Sequence, residues 1–151
     1  MPLEVGIGML AGMTVIRSDV PTFTQKDYEE RLKKTLAALK KFDAVYVHIK
    51  GPDLFGHDGD FHGKVRSIED IDRFFIGPLL HRVDMHNTVV AVTSDHATPS
   101  QLSAHSDGPV PTLIFSRHWL PSNRSFNERE CSHGFKIVGN ELVPLLMELS
   151  T

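Results

Sequence analysis

The sequence predicts an α/β fold, a mostly parallel sheet with helices on both faces. Residues 88–93 form a near-continuous β-branched run, the pattern required of a strand buried on both sides. Residues 25–41 place Tyr28, Leu32, Leu36 and Leu39 at helical spacing, with lysines and glutamates on the opposite face. Strand-type and helix-type stretches of this kind alternate as β-α-β-α-β, which is how parallel strands joined by helical crossovers read in sequence.

Each element has its own local argument. Residues 3–12 carry glycine at 6, 8 and 12, so only a weak helix is expected there. Met13–Ile16 is a short strand candidate, and the polar stretch 18–23, with Pro21, is a loop. Thr24 followed three residues later by Asp27 has the form of a capping box opening the 25–41 helix. Residues 43–49 are β-branched and aromatic and read as a buried strand, stopped by Gly51-Pro52 because proline cannot donate to a ladder. The following stretch to Asp60 is crowded with acids and punctuated by Gly56 and Gly59, so a loop and not a helix is expected. From His62 to about Val83 a second long helix is expected, with Val65, Ile68, Ile71, Phe75 and Leu79 as its buried stripe and a kink at Pro78. The strand at 88–93 is followed by a polar loop to Pro109 and by a further strand at 110–115, nearer an edge because of Pro111. Residues 117–136 are irregular. Gly139-Asn140-Glu141 then opens a closing helix over 142–149, with Pro144 in its first turn.

Bulk properties narrow the function. A chain of 151 residues, 40% hydrophobic and 23% charged, suffices for one globular domain spanning residues 1–151. A net charge of −3 with mixed signs leaves no electrostatic footprint for nucleic acid or for an anionic membrane. No apolar run approaches the roughly 20 residues of a membrane span, and Glu4 sits where a signal peptide needs positive charge. The single cysteine, Cys131, rules out an internal disulfide framework and fits a reducing, cytoplasmic setting.

Nine histidines are many for this length, and their placement sorts them. His62, His81, His86 and His118 read as surface residues. Asp53 and His57, four residues apart just past a predicted strand, offer a hard oxygen and an imidazole nitrogen. Asp95-His96 closes the 88–93 strand in the same way, and His105 lies in the polar loop beyond. Two carboxylates and three imidazoles at one sheet edge suit one or two divalent ions, with mixed N/O ligation favouring Zn²⁺, Mn²⁺ or Co²⁺ over Ca²⁺. Asp58 and Asp60 flank Gly59 and read as turn acids. Ser132-His133 is a poor nucleophile–base pair because adjacent side chains seldom face each other.

Three blocks then carry a resemblance: Val45–Asp53 with Gly56-His57-Asp58-Gly59-Asp60, Thr93-Ser94-Asp95-His96-Ala97-Thr98-Pro99, and Ala104-His105-Ser106-Asp107-Gly108-Pro109-Val110-Pro111. In this order and at these separations they resemble the archaeal-type cofactor-independent phosphoglycerate mutases of the alkaline phosphatase superfamily. Phe75–Leu80 and Val143-Pro144-Leu145-Leu146 extend the similarity over nearly the whole chain. The resemblance implies an alkaline phosphatase-like domain in which Asp53, His57 and His105 hold one metal and Asp95 and His96 help to hold a second. It implies interconversion of 3-phosphoglycerate and 2-phosphoglycerate through a phosphoserine, with divalent metal and without bisphosphoglycerate.

The same resemblance implies that residues 1–151 are the C-terminal portion of that domain. The nucleophilic serine, a further aspartate ligand and an inserted phosphotransferase domain are then expected in polypeptide upstream, and no catalytic nucleophile is assigned here. Ser103 stands where the family carries a lysine, and Gly108 where it carries an acid, departures that bear on recognition of the substrate's anionic groups. Two other readings keep the same residues: a metal-dependent phosphohydrolase or other phosphomutase of the superfamily, and a non-catalytic domain that self-associates through uncovered core surface.

Overall fold

The computed structural model describes residues 2–18, 23–120 and 122–151, and most of the loop expected at 18–23 lies outside them. Among the described residues, regular elements follow in this order: helices α1 (Pro2–Leu10), α2 (Gln25–Leu39), α3 (Gly51–His57), α4 (Phe61–Ile71) and α5 (Gly77–Leu80), strands β1 (Val90–Val92) and β2 (Leu113–Phe115), and helices α6 (Glu128–Cys131) and α7 (Gly139–Leu149). A π-helical turn, Asp72–Ile76, joins α4 to α5.

The α2 helix begins as its sequence dictates. The Asp27 carboxylate accepts from the Thr24 backbone N–H at 3.0 Å and from its hydroxyl at 3.2 Å, occupying donors that a helix start leaves free. Its apolar stripe then packs on the π turn and α5, where Tyr28, Leu32, Phe75 and Leu79 form the buried cluster. The expected long helix exists from 61 to 80, and Pro78 shapes it. Proline in an α-helix clashes with the carbonyl four residues back; here the preceding turn is widened, and the Gly77 N–H donates to the Asp72 carbonyl five residues back. The kink takes the form of a π turn, and α5 restarts with Pro78 in its first turn.

Several expectations need correction. Residues 13–16 and 43–49 form no strand. The second stretch keeps strand-like alternation, since Val47 and Ile49 pack on the core cluster while Tyr46 is exposed. Among the described residues, however, no backbone pairs with it, and a strand is defined by its ladder. Residues 51–57, expected as a loop, form α3: Pro52 falls in the first turn, where its missing N–H costs nothing. The α7 helix starts at Gly139, three residues earlier than expected, because the Glu141 carboxylate accepts from the Val138 N–H at 2.8 Å; Pro144 therefore lies inside the helix and not in its first turn. The sheet among the described residues is a two-stranded antiparallel one, Val90 opposite Phe115 and Val92 opposite Leu113, and a parallel arrangement is not found there. No helix of the described residues is long and apolar enough to cross a membrane.

Candidate metal centre

Three local structures converge on one cluster. The α3 helix carries Asp53 and His57 one turn apart, so both side chains leave the same face. Gly56, buried beside them, allows α3 to lie directly on the 97–99 segment: a Cβ at this position would stand 2.6 Å from the Thr98 carbonyl oxygen. The loop after β1 is tied to the 103–106 segment by a single bridge, with the Ser106 N–H donating to the Ala97 carbonyl at 3.0 Å. That bridge stacks the His96 ring on the His105 ring, their centroids 3.6 Å apart.

Asp53, His57 and His105 thus come together from positions up to 52 residues apart in the chain. His57 Nε2 lies 3.0 Å from His105 Nε2, and Asp53 Oδ1 lies 3.5 Å and 3.6 Å from those two nitrogens. Donor atoms about 2.0–2.1 Å from a tetrahedral ion are about 3.3–3.4 Å apart, so this triangle has the dimensions of one face of such a coordination shell. The donors also have the right chemistry, two imidazoles and a carboxylate. His57 Nδ1 stands 3.2 Å from the Ser103 carbonyl, which can only accept; Nδ1 therefore carries the hydrogen, and the Nε2 lone pair faces the cluster. Ser103 delivers that carbonyl from a left-handed backbone conformation, φ 48°.

Asp53 is held on both oxygens. Thr98 Oγ1 donates to Oδ1 at 2.7 Å, and the Lys50 ammonium pairs with Oδ2 at 2.9 Å. Burial by itself would raise this carboxyl; the Thr98 hydroxyl, the Lys50 ammonium and His57 together outweigh it and hold the pKa at about 2. Reciprocally, the Asp53 carboxylate raises the Lys50 ammonium above its ordinary value.

Asp95 and His96 adjoin this triangle without being part of it. His96 Nε2 is 3.4 Å from Asp95 Oδ2, and His96 Nδ1 is 3.1 Å from the Thr98 hydroxyl that donates to Asp53. All five candidate residues therefore belong to one neighbourhood, three as a closed set of donors and two as an adjoining pair. The turn acids behave as expected: Asp60 caps α4 by accepting from the Gly63 N–H at 2.8 Å, and Gly59 has φ 70°. His62, His81, His86 and His118 are exposed. The Ser132 hydroxyl donates to the Arg129 carbonyl at 2.7 Å, a local bond of a helix end. Sequence reasoning missed Lys50 and Thr98. Thr98 lies within the Thr93–Pro99 block and Lys50 within the Val45–Asp53 block, three residues before Asp53.

A carboxylate and two imidazoles at ligand spacing, on loops and a short helix beside a small sheet, define a candidate divalent-metal protein. The chain belongs to the Metalloenzyme superfamily, whose family model matches residues 7–148. It is 40% identical over 155 residues to the 2,3-bisphosphoglycerate-independent phosphoglycerate mutase of Aeropyrum pernix, covering 99% of this chain and 37% of that protein. The proteins of the same name from Thermococcus kodakarensis (40% identity, 82% of this chain, 30% of the relative) and Ignicoccus hospitalis (36% identity, 98% and 36%) are similar to it as well. The solved structure of the PH0037 protein from Pyrococcus horikoshii superposes with a TM-score of 0.88 at 35% identity, covering 98% of this chain and 46% of that one. The chain spans about a third of the length of the curated relatives it matches.

Proposed function

We propose that Asp53, His57 and His105 bind one divalent ion, that Asp95 and His96 contribute to a second, and that these residues serve a phosphoglycerate mutase reaction. The observation that carries the reading is the donor triangle of 3.0, 3.5 and 3.6 Å, closed by residues from two distant segments. Support for the reaction comes from the names of the relatives and from the three sequence blocks that surround these donors.

In this reading the substrate is a small phosphorylated hydroxy acid, 3-phosphoglycerate or 2-phosphoglycerate, and no bisphosphoglycerate is consumed. When bound, the metal supplies Lewis-acid chemistry: it favours the ionised form of a serine nucleophile and offsets charge on the transferring phosphoryl oxygens. The residues of this chain prepare that site. Ser103 fixes which His57 nitrogen faces inward, Thr98 and Lys50 keep Asp53 ionised and oriented, and the stacked His96 ring limits how far His105 can swing. The phosphorylated serine is not assigned to any residue here, so the chain contributes the metal-binding part of the chemistry.

Calorimetric titration with Mn²⁺ tests the reading. The chain is expected to bind at least one equivalent, and Asp53→Ala and His105→Ala are each expected to abolish the event while leaving the far-ultraviolet circular dichroism unchanged. Binding that survives both substitutions would place the ion elsewhere and overturn the assignment.

A further inference from the structure

One residue outside the donor set touches both groups of donors. Thr98 is 3% exposed, and its hydroxyl and carbonyl are both engaged in or beside the site. Its hydroxyl lies 2.7 Å from Asp53 Oδ1 and 3.1 Å from His96 Nδ1. Its carbonyl accepts from the Lys64 ammonium at 2.6 Å, and Gly56 of α3 rests against its backbone and side chain.

A hydroxyl has one hydrogen to give, and here its destination is determined. An ionised carboxylate can only accept, and 2.7 Å is the length of a charge-assisted O–H···O⁻ bond, so the hydrogen goes to Asp53. The hydroxyl must then receive from His96, which requires Nδ1 to carry the ring hydrogen. In the neutral ring the lone pair is left on Nε2. That nitrogen faces Asp95 Oδ2 at 3.4 Å, which sets two acceptors side by side. The Asp95 side chain is 58% exposed and open to water, and 3.4 Å is the edge expected of two donors sharing one tetrahedral ion, about 3.3–3.4 Å.

We propose that Thr98 is a positioning residue whose single hydroxyl hydrogen orients the ligating oxygen of Asp53 and fixes His96 in its Nδ1–H tautomer, so that Asp95 and His96 present a ready pair of cation donors. The proposal rests on the metal-binding reading of the Asp53, His57 and His105 cluster. It also joins the two sets of donors: a change in either one's hydrogen bonding is felt by the other through one oxygen atom.

The test compares Thr98→Val, which keeps the shape and removes the hydroxyl, with Thr98→Ser, which keeps the hydroxyl and removes a methyl group. The first readout is the ¹⁵N–¹H correlation pattern of the imidazole rings in metal-free protein, about two pH units above the ordinary imidazole value, with His96 assigned from its absence in His96→Gln. Wild type and Thr98→Ser are expected to show His96 as Nδ1–H, and Thr98→Val to show the Nε2–H form or a mixture. The second readout is Mn²⁺ affinity, expected to fall by about 10–100-fold in Thr98→Val, the range typical of groups that orient metal ligands, and to return toward wild type in Thr98→Ser. Should Thr98→Val fail to fold, Thr98→Ser decides alone: it must retain the Nδ1–H pattern. An unchanged His96 pattern in Thr98→Val, or a Thr98→Ser variant that loses the Nδ1–H form, would overturn the proposal. Absence of Mn²⁺ binding in wild type would instead remove the metal reading, while the metal-free spectra would still decide what Thr98 does.

Discussion

Asp53 shows how one side chain can join stability to chemistry. Its folded-state pKa of about 2 lies below the ordinary carboxyl value of 3.8, and the side chain is only 15% exposed. Because the folded value is depressed, the resulting stability is fully present above pH 4 and is lost as pH falls through the folded value; the depression corresponds to about 2 kcal/mol. Acid titration of the metal-free chain should therefore show a stability loss of this size between about pH 4 and pH 2, and Asp53→Asn should flatten that part of the profile. Equal slopes in wild type and Asp53→Asn, measured by urea unfolding at several pH values, would show that the carboxylate is not held as described. Lys50 matters to the same balance, since an ammonium on Oδ2 leaves Oδ1 as the oxygen facing the imidazoles.

At the scale of elements, α3 is the piece that brings the site together. It is seven residues long and, alone, too short to be stable in water. Its order comes from packing on α4 and on the 97–99 segment, and Gly56 marks the closest approach to the latter. Alanine at 56 would improve helix propensity by about 0.8–1.0 kcal/mol. It would also drive a methyl group against the Thr98 carbonyl and side chain, where overpacking costs about 1–3 kcal/mol. The net expectation for Gly56→Ala is a loss of about 1 kcal/mol, read as a lower urea midpoint, together with weaker Mn²⁺ binding because Asp53 and His57 move away from His105. An unchanged or higher midpoint would mean that α3 does not rest on Thr98.

For the whole molecule the decisive quantity is exposed surface. A folded monomer of 16.9 kDa is expected to expose about 7,700 Å², whereas this chain exposes 10,975 Å². Apolar side chains contribute to it: Leu3, Ile7 and Leu10 on α1 and Val143 and Met147 on α7 are all more than half exposed, and α7 buries no residue. Apolar faces of this extent mark contact surfaces. The 151-residue chain is therefore expected to self-associate at micromolar to millimolar concentration, with Val143→Lys and Met147→Lys together shifting it toward monomer in light scattering. A monodisperse monomer across that range would show that these faces tolerate water. The relatives it matches are about three times as long, so in such proteins other polypeptide is available to cover these faces.

Much of the local structure was determined by sequence alone. The Thr24–Asp27 cap, the apolar stripe of α2, the interruption at Pro78 and the turn at Gly59 are short-range effects, legible from spacing and backbone chemistry. The five candidate donors could be nominated from sequence by their places at predicted element ends, and the structure brings Asp53, His57 and His105 within ligand spacing. What the sequence could not decide depends on distant partners. Residues 43–49 have a strand's alternation without a ladder, and Gly51-Pro52 begins a helix in place of a loop because packing on α4 and Thr98 outweighs its weak propensity. Nor could spacing reveal that Thr98 and Lys50 hold Asp53, or that His96 stacks on His105 beside the triangle. Hydrogen bonds across 45 residues and ring contacts across nine come from how the segments pack, and only the tertiary structure puts those atoms within reach.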